Sequence, residues 1–272
     1  MTPHDYTFLQ GFLKDRSGLI LSNKEYLVQG RLEPLAKKHG LNGISDLVEK
    51  IKSGKKDIET VVVEAMTTNE TSFFRDKNPF DQFSETVVPR LVKARATKKS
   101  LRIWCAAGST GQEPYSIAMC LKEMGALLKD WRIEITATDL SREVLAKSEA
   151  GRYSQFEVQR GLPIKLLMKY FQQSGETWQI NADIRAMVKH KQFNLLSDFG
   201  ALGRFDIIFC RNILIYFDEP TKTGIYKRLA KALEPDGLLA LGAAETMIGL
   251  TNAFVPSPGL RGFYAPNPAA AA

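Results

Sequence analysis

The stretch Leu101-Arg102-Ile103-Trp104-Cys105-Ala106-Ala107-Gly108-Ser109-Thr110-Gly111-Gln112-Glu113-Pro114-Tyr115-Ser116 reads as an apolar strand running straight into a glycine-bearing turn and then a helix. A short apolar run closed by turn residues suits a buried strand, and Glu113 to Met124 continues as an unbroken helical segment. Outward from here the unit repeats. Arg132–Thr138 is a second strand, and Ser141 is placed to cap a helix over Arg142–Ala150. Phe205–Cys210 is a strongly apolar strand followed by a helix from Thr221 to Leu233. Glu234-Pro235-Asp236-Gly237 is then a tight turn into a strand over Leu238–Gly242. Strands that alternate with helices predict a doubly wound α/β fold on a parallel sheet.

The amino-terminal flank has a different period. From Asp5 to Leu91 apolar residues recur at spacings of three and four, as in Phe8, Leu9, Phe12 and Leu13. Gly18 and Gly40 stand where helices should stop, and Asp57 is placed to cap the helix of Ile58, Val61, Val62 and Met66. The expected organisation is therefore an all-α domain over residues 1–92, a basic linker over 93–100 and an α/β domain over 101–272. Tyr153 to His190 interrupts the alternation with a helix (Ile164–Phe171) and strand-like pieces at Trp178-Gln179-Ile180 and Val188. It reads as a small inserted β-subdomain at 153–190, and the alanines Ala269–Ala272 read as a disordered tail.

With 272 residues, 44% apolar and 25% charged, the chain is long enough to bury a full core without disulfides or a metal. It has no apolar run of about 18 residues and no secretory signal layout, so no membrane insertion is expected. Three scattered cysteines, Cys105, Cys120 and Cys210, form neither a disulfide framework nor a metal site, which suits a reducing cytoplasm. The net charge of +7 favours acidic partners, while the absence of a block of consecutive Lys/Arg counts against a nucleic-acid arm.

Doubly wound sheets bind ligands at the carboxyl ends of their strands, so the loops there carry most weight. Gly108 and Gly111 let the backbone turn and approach a ligand closely, although their spacing is not GxGxxG. Asp139, at the end of the second strand, suits the two hydroxyls of a ribose, or else caps a helix. Glu113 would repel a pyrophosphate and pair with an ammonium group, which favours S-adenosylmethionine over a nicotinamide dinucleotide.

Four segments in order then carry a resemblance: Met66-Thr67-Thr68-Asn69-Glu70-Thr71-Ser72-Phe73-Phe74-Arg75, Ala107–Ser116, Phe193-Asn194-Leu195-Leu196, and Phe209-Cys210-Arg211-Asn212-Ile213-Leu214-Ile215-Tyr216-Phe217. On these residues the chain resembles the chemotaxis receptor glutamate methyltransferases, the CheR family, over nearly its whole length. The resemblance implies a Rossmann-like class I methyltransferase sheet that binds S-adenosylmethionine and releases S-adenosylhomocysteine. It implies that Asn69, Thr71 and Arg75 face the cofactor from the linker side. Glu113 and Asp139 would hold its amino group and ribose, and Asn194, Leu195, Arg211 and Asn212 would surround the adenosine.

Arg75 and Tyr216 are the catalytic candidates. A guanidinium can hold one carboxylate oxygen while the other attacks; binding of the cofactor's own carboxylate is the other role open to Arg75. Tyr216 would orient the incoming glutamate, or else be a core aromatic. Phe73 and Phe74 are read as packing. The expected partner is the cytoplasmic helical region of methyl-accepting chemotaxis receptors, met by a basic face of Lys37, Lys38, Lys50, Lys52, Lys55 and Lys56 and by a monomeric enzyme. Gln172–Lys189 is shorter than the insertion of family members that bind a receptor's C-terminal pentapeptide, so that tether is not expected here. Two rival readings remain, a methyltransferase for another acceptor and a catalytically silent adaptor that binds S-adenosylmethionine or a nucleotide. An Asn/Asp-Pro-Pro-Tyr/Phe segment, usual in nucleic-acid amino-methyltransferases, is replaced here by Arg211-Asn212-Ile213-Leu214.

Overall fold

In the computed structural model, which describes residues 1–270, four helices open the chain: α1 (Pro3–Ser17), α2 (Glu25–Lys38), α3 (Ile44–Lys52) and α4 (Lys56–Met66). Their apolar stripes meet in one core that includes Leu9, Leu13, Val28, Leu32, Leu47, Val62 and Met66. Gly18 closes α1 in the left-handed conformation at φ 75°. Asp57 does not cap α4. Lys55 holds the cap position, and Asp57 lies in the first turn, where its charge still complements the positive helix end.

The next two helices, α5 (Asn78–Gln82) and α6 (Val88–Ala94), are joined by a π turn at Phe83–Val87. They leave the bundle: Phe80, Phe83, Val87, Val88 and Leu91 are buried in the core beneath the sheet. The packing boundary thus falls between Met66 and Phe73 rather than at residue 92. Helical period identifies a helix but not the core it joins. The basic stretch after α6 is anchored as well, because Arg95 donates to Asp206 at 2.6 Å and to both oxygens of Asp236 at 2.7 and 2.9 Å.

The remaining elements are β1 (Ser100–Ala106), α7 (Gln112–Glu123), β2 (Arg132–Asp139), α8 (Arg142–Ala150), β3 (Arg152–Ser154), α9 (Gln155–Gln159) and α10 (Ile164–Tyr170). There follow β4 (Phe171–Ser174), β5 (Thr177–Ile180), α11 (Ala182–Arg185), β6 (Val188–Gln192), β7 (Phe205–Cys210), α12 (Glu219–Ala232), β8 (Leu233–Leu241), β9 (Phe254–Pro256) and β10 (Phe263–Pro266). The main sheet runs β6-β2-β1-β7-β8-β10-β9, with its first five strands parallel and β10 antiparallel to both neighbours. Successive residues of β1 face opposite cores. Leu101, Ile103 and Cys105 pack with α7, while Trp104 and Ala106 pack with α12.

Three further features, all in the strands, differ from the sequence reading. Val188 pairs with Ile135 in the main sheet, so only β3, β5 and β4 form the small antiparallel sheet. The turn at Glu234–Gly237 interrupts β8 from within: Phe205 pairs with Leu233 and Ile207 with Leu238, and the intervening residues bulge out. Strands β10 and β9, the last two at one side of the sheet, were not anticipated, being four and three residues long with a proline in each. Of the terminal alanines, Ala269 and Ala270 lie in a short 3-10 turn and Ala271 and Ala272 lie outside the described residues. No helix among the described residues is long and apolar enough to cross a membrane.

The His190 ring on β6 lies 2.6 Å from the Ser148 hydroxyl of α8, and burial pushes its pKa below 6.5. The fold therefore favours the neutral ring. Its contribution is complete above the unfolded value of about 6.5 and is lost as pH falls toward the lower folded value. We expect wild-type Tm to fall between pH 7.5 and 5.5 by more than that of His190→Gln; equal falls would refute the linkage.

Candidate active site

The loops at the carboxyl ends of β1, β2 and β7 converge on one cavity, at the place where doubly wound sheets bind their ligands. Asn69, Thr71, Arg75, Glu113, Asp139, Asn194, Leu195, Arg211, Asn212 and Tyr216 all line it. Gly108 does not. Its N–H donates to Thr138 O at 2.8 Å, and a Cβ there would lie 3.3 Å from that of Ala137, so this glycine packs the turn against β2. The adjacent Ala107 and Ser109 form the wall instead. Gly111 holds φ 97°, and a Cβ there would stand 2.3 Å from the Ser148 hydroxyl, so no other residue fits.

Backbone strain gathers in these loops. Phe74, Ala107, Ser109 and Asn212 are non-glycine residues with φ between 48° and 65°. Such conformations persist only where surrounding bonds over-determine them, and they cluster at functional sites.

One group of charges centres on Arg211, whose side chain is 1% exposed. Its guanidinium donates to Glu113 Oε2 at 2.9 Å, to Asp76 Oδ2 at 2.8 Å and to the Arg75 carbonyl at 2.9 Å, and lies 5.5 Å from the Phe80 ring centre. Burial pushes the Glu113 carboxyl above its usual range, opposed by Arg211 and more weakly by Arg75. Arg75 itself makes no ion pair among the described residues; Nη1 donates only to the Glu70 carbonyl, at 3.1 Å. Arg211, expected beside an adenosine, pairs with Glu113 in the cavity wall.

A second group centres on Asp139, 7% exposed, whose carboxyl is pushed up by burial against the pull of backbone N–H donors. Those donors are Ser109 N at 2.9 Å and Ser141 N at 3.0 Å, so Asp139 ties the β1 turn to its own. It is not the helix cap, because the Ser141 hydroxyl caps α8. Ser109 also donates from Oγ to Asn69 O at 2.9 Å, drawing the residue 69 segment over the turn. The Asn194 amide donates to Arg16 O at 2.7 Å, and Leu195 belongs both to the cavity wall and to the α12 core.

The helical bundle completes the enclosure, a contribution that sequence reasoning missed. Ser17 and Leu19 line the cavity at the end of α1, and Ile20 N donates to the Tyr216 carbonyl at 3.2 Å. Tyr216 packs against the bundle core, and its hydroxyl has no hydrogen-bond partner among the described residues. Phe73 is fully buried in edge contacts with Tyr153 and Phe171, as packing requires. Sequence reasoning also passed over Glu245. Its position just past β8 was the available signal, since that loop too lies at a strand's carboxyl end.

Comparison with known proteins agrees with this architecture. The chain matches the family description "CheR methyltransferase, SAM binding domain" over residues 69–262 and "CheR methyltransferase, all-alpha domain" over residues 4–67. It is 40% identical to "Chemotaxis protein methyltransferase 1" of Pseudomonas aeruginosa, with 90% of this chain and 91% of the relative covered. It is 38% identical to the protein of that name from Vibrio cholerae, with 93% of each covered. Identity to "Chemotaxis protein methyltransferase Cher2" of Pseudomonas putida is 39%, over 90% of this chain and 91% of the relative. With both regions matched in order and relatives of this identity aligned over nine tenths of each chain, the chain belongs to the CheR methyltransferase family.

Proposed function

We propose that this chain transfers the methyl group of S-adenosylmethionine to glutamate side-chain carboxylates of chemotaxis receptors, leaving methyl esters and S-adenosylhomocysteine. The observation that carries the reading is the pair of carboxylates, half-buried Glu113 and buried Asp139, set around one cavity with Arg75, which makes no ion pair among the described residues. The residues fit the cofactor. Glu113, raised by burial, gains from an ammonium neighbour, and Asp139 suits the ribose hydroxyls. Leu140, Phe193 and Leu195 offer apolar contact for a purine, flanked by Asn194 and Asn212, while Asn69 and Thr71 close the linker side. A pyrophosphate would meet two carboxylates.

When bound, S-adenosylmethionine supplies a methyl group already activated on a sulfonium sulfur. A glutamate side chain has a reference pKa of about 4.3 and arrives ionised, so the site needs no general base. Arg75 holds one carboxylate oxygen and leaves the other free to attack, and the Tyr216 hydroxyl orients the group from the bundle side. What remains is alignment and exclusion of water. Such positioning can supply about 7–11 kcal/mol of the barrier. The end of α1, packed against Phe217 and Tyr216, serves the exclusion.

Lys37, Lys38, Lys50, Lys52, Lys55 and Lys56 are all exposed on the bundle, a basic face that steers an acidic receptor helix to the mouth. The enzyme acts in the cytoplasm as a monomer, and its short three-stranded sheet does without a pentapeptide tether. Labelled methyl transfer to receptor-containing membranes, followed by mild alkali, tests this reading. Base-labile label released as methanol, at a rate that falls with added salt and is equal for receptors lacking their last five residues, is expected. Absence of transfer despite cofactor binding would move the assignment to another acceptor.

A further inference from the structure

Glu245 follows β8 in the loop Gly242-Ala243-Ala244-Glu245 and is 8% exposed, yet it does not line the cavity. Its carboxylate accepts four backbone N–H groups. Oε2 takes those of Asn212 and Gly242, each at 2.8 Å, and Oε1 takes those of Ile213 at 2.9 Å and Leu214 at 2.7 Å. Three of the four come from consecutive residues of the loop after β7. That loop carries Arg211, which pairs with Glu113, and leads to Tyr216.

Asn212 in this loop is held at φ 58°, a conformation a non-glycine residue keeps only under constraint. Gly242 makes room for the constraint, since a Cβ there would lie 2.7 Å from Asn212 Nδ2 and 2.9 Å from Glu245 Oε2. A carboxylate is the one side chain that can accept from both oxygens at once. Glutamine would turn two of these contacts into donor against donor, leaving buried N–H groups unmatched.

We infer that Glu245 is a positioning residue of the methyl-transfer site, clamping the Arg211–Leu214 loop so that Arg211 and Asn212 present a preformed wall to the cofactor. The inference rests on the reading of the cavity as the S-adenosylmethionine site. It is tested by calorimetric titration of S-adenosylhomocysteine into the full chain at a temperature where every variant is folded by circular dichroism. Glu245→Gln is expected to raise Kd at least tenfold. Asp206→Asn, which disturbs the Arg95 network at the opposite end of β7, serves as a control that lowers Tm while Kd stays at the wild-type value. Should Glu245→Gln not fold, Gly242→Ala disturbs the same clamp sterically, and a Kd raised severalfold is expected of it. A clamp variant that binds as the wild type does overturns the assignment, as does a Kd rise equal to that of Asp206→Asn. A wild-type chain that binds no S-adenosylhomocysteine removes the cofactor reading itself, and this inference with it.

Discussion

Arg75→Ala is expected to reduce methyl transfer about 10²-fold while circular dichroism and Tm stay at wild-type values. The contrast follows from where the side chain is tied. Its guanidinium lines the cavity, makes no ion pair among the described residues and holds a single carbonyl, so little of the fold depends on it. The backbone carbonyl that accepts from Arg211 survives the substitution. Among the described residues its charge, by contrast, is the one cation of the wall without a carboxylate in ion-pair range, which makes it the group available to an incoming carboxylate. Initial rates with saturating S-adenosylmethionine measure the effect. More than a tenth of the wild-type rate in a folded variant would remove Arg75 from the catalytic role. A rise confined to the cofactor's Kd, with kcat unchanged, would assign it instead to the methionine carboxylate.

Arg211→Met should be the most damaging single change to stability, by about 3–5 kcal/mol. Methionine matches much of the volume, so the loss is electrostatic. The guanidinium is 1% exposed and serves Glu113, Asp76 and a main-chain carbonyl at once. Without it, Glu113 keeps only the weaker pull of Arg75, and its pKa, already raised by burial, moves higher. The double variant Arg211→Met, Glu113→Gln should regain part of the loss, because removing both partners of a buried pair is milder than removing one. Urea unfolding of the four proteins at pH 7.5 gives the comparison. A cost under about 1 kcal/mol, or strict additivity in the cycle, would show that the pair carries little of the stability.

Both expectations concern residues visible in the linear sequence, yet only one of them had its place there. The strand and turn of Leu101–Ser116, the Ser141 cap and the acidic end of β2 are local: alternation, apolar runs and turn chemistry act over a few residues and leave their mark in order along the chain. That marking pointed to the doubly wound sheet and to Glu113 and Asp139 at its strand ends; the family resemblance supplied the other candidates, and nine of the ten residues named for the cofactor, with Tyr216 beside them, line the cavity. Gly108 was the exception because a glycine's spacing signals a turn without saying which side of it faces a ligand.

What local pattern does not carry is which distant groups meet. Arg211 finds Glu113 across 98 positions, Asn194 finds Arg16 across 178, and Glu245 gathers N–H groups 31 to 33 positions away. Helices α5 and α6 have the same period as the bundle before them, yet they join the sheet because Phe80 and Phe83 pack on Phe209. The chain order of these residues specifies their chemistry. Their partners were decided when parallel strands brought successive loops to one edge, where buried charges and unmatched N–H groups must find one another or destabilise the fold.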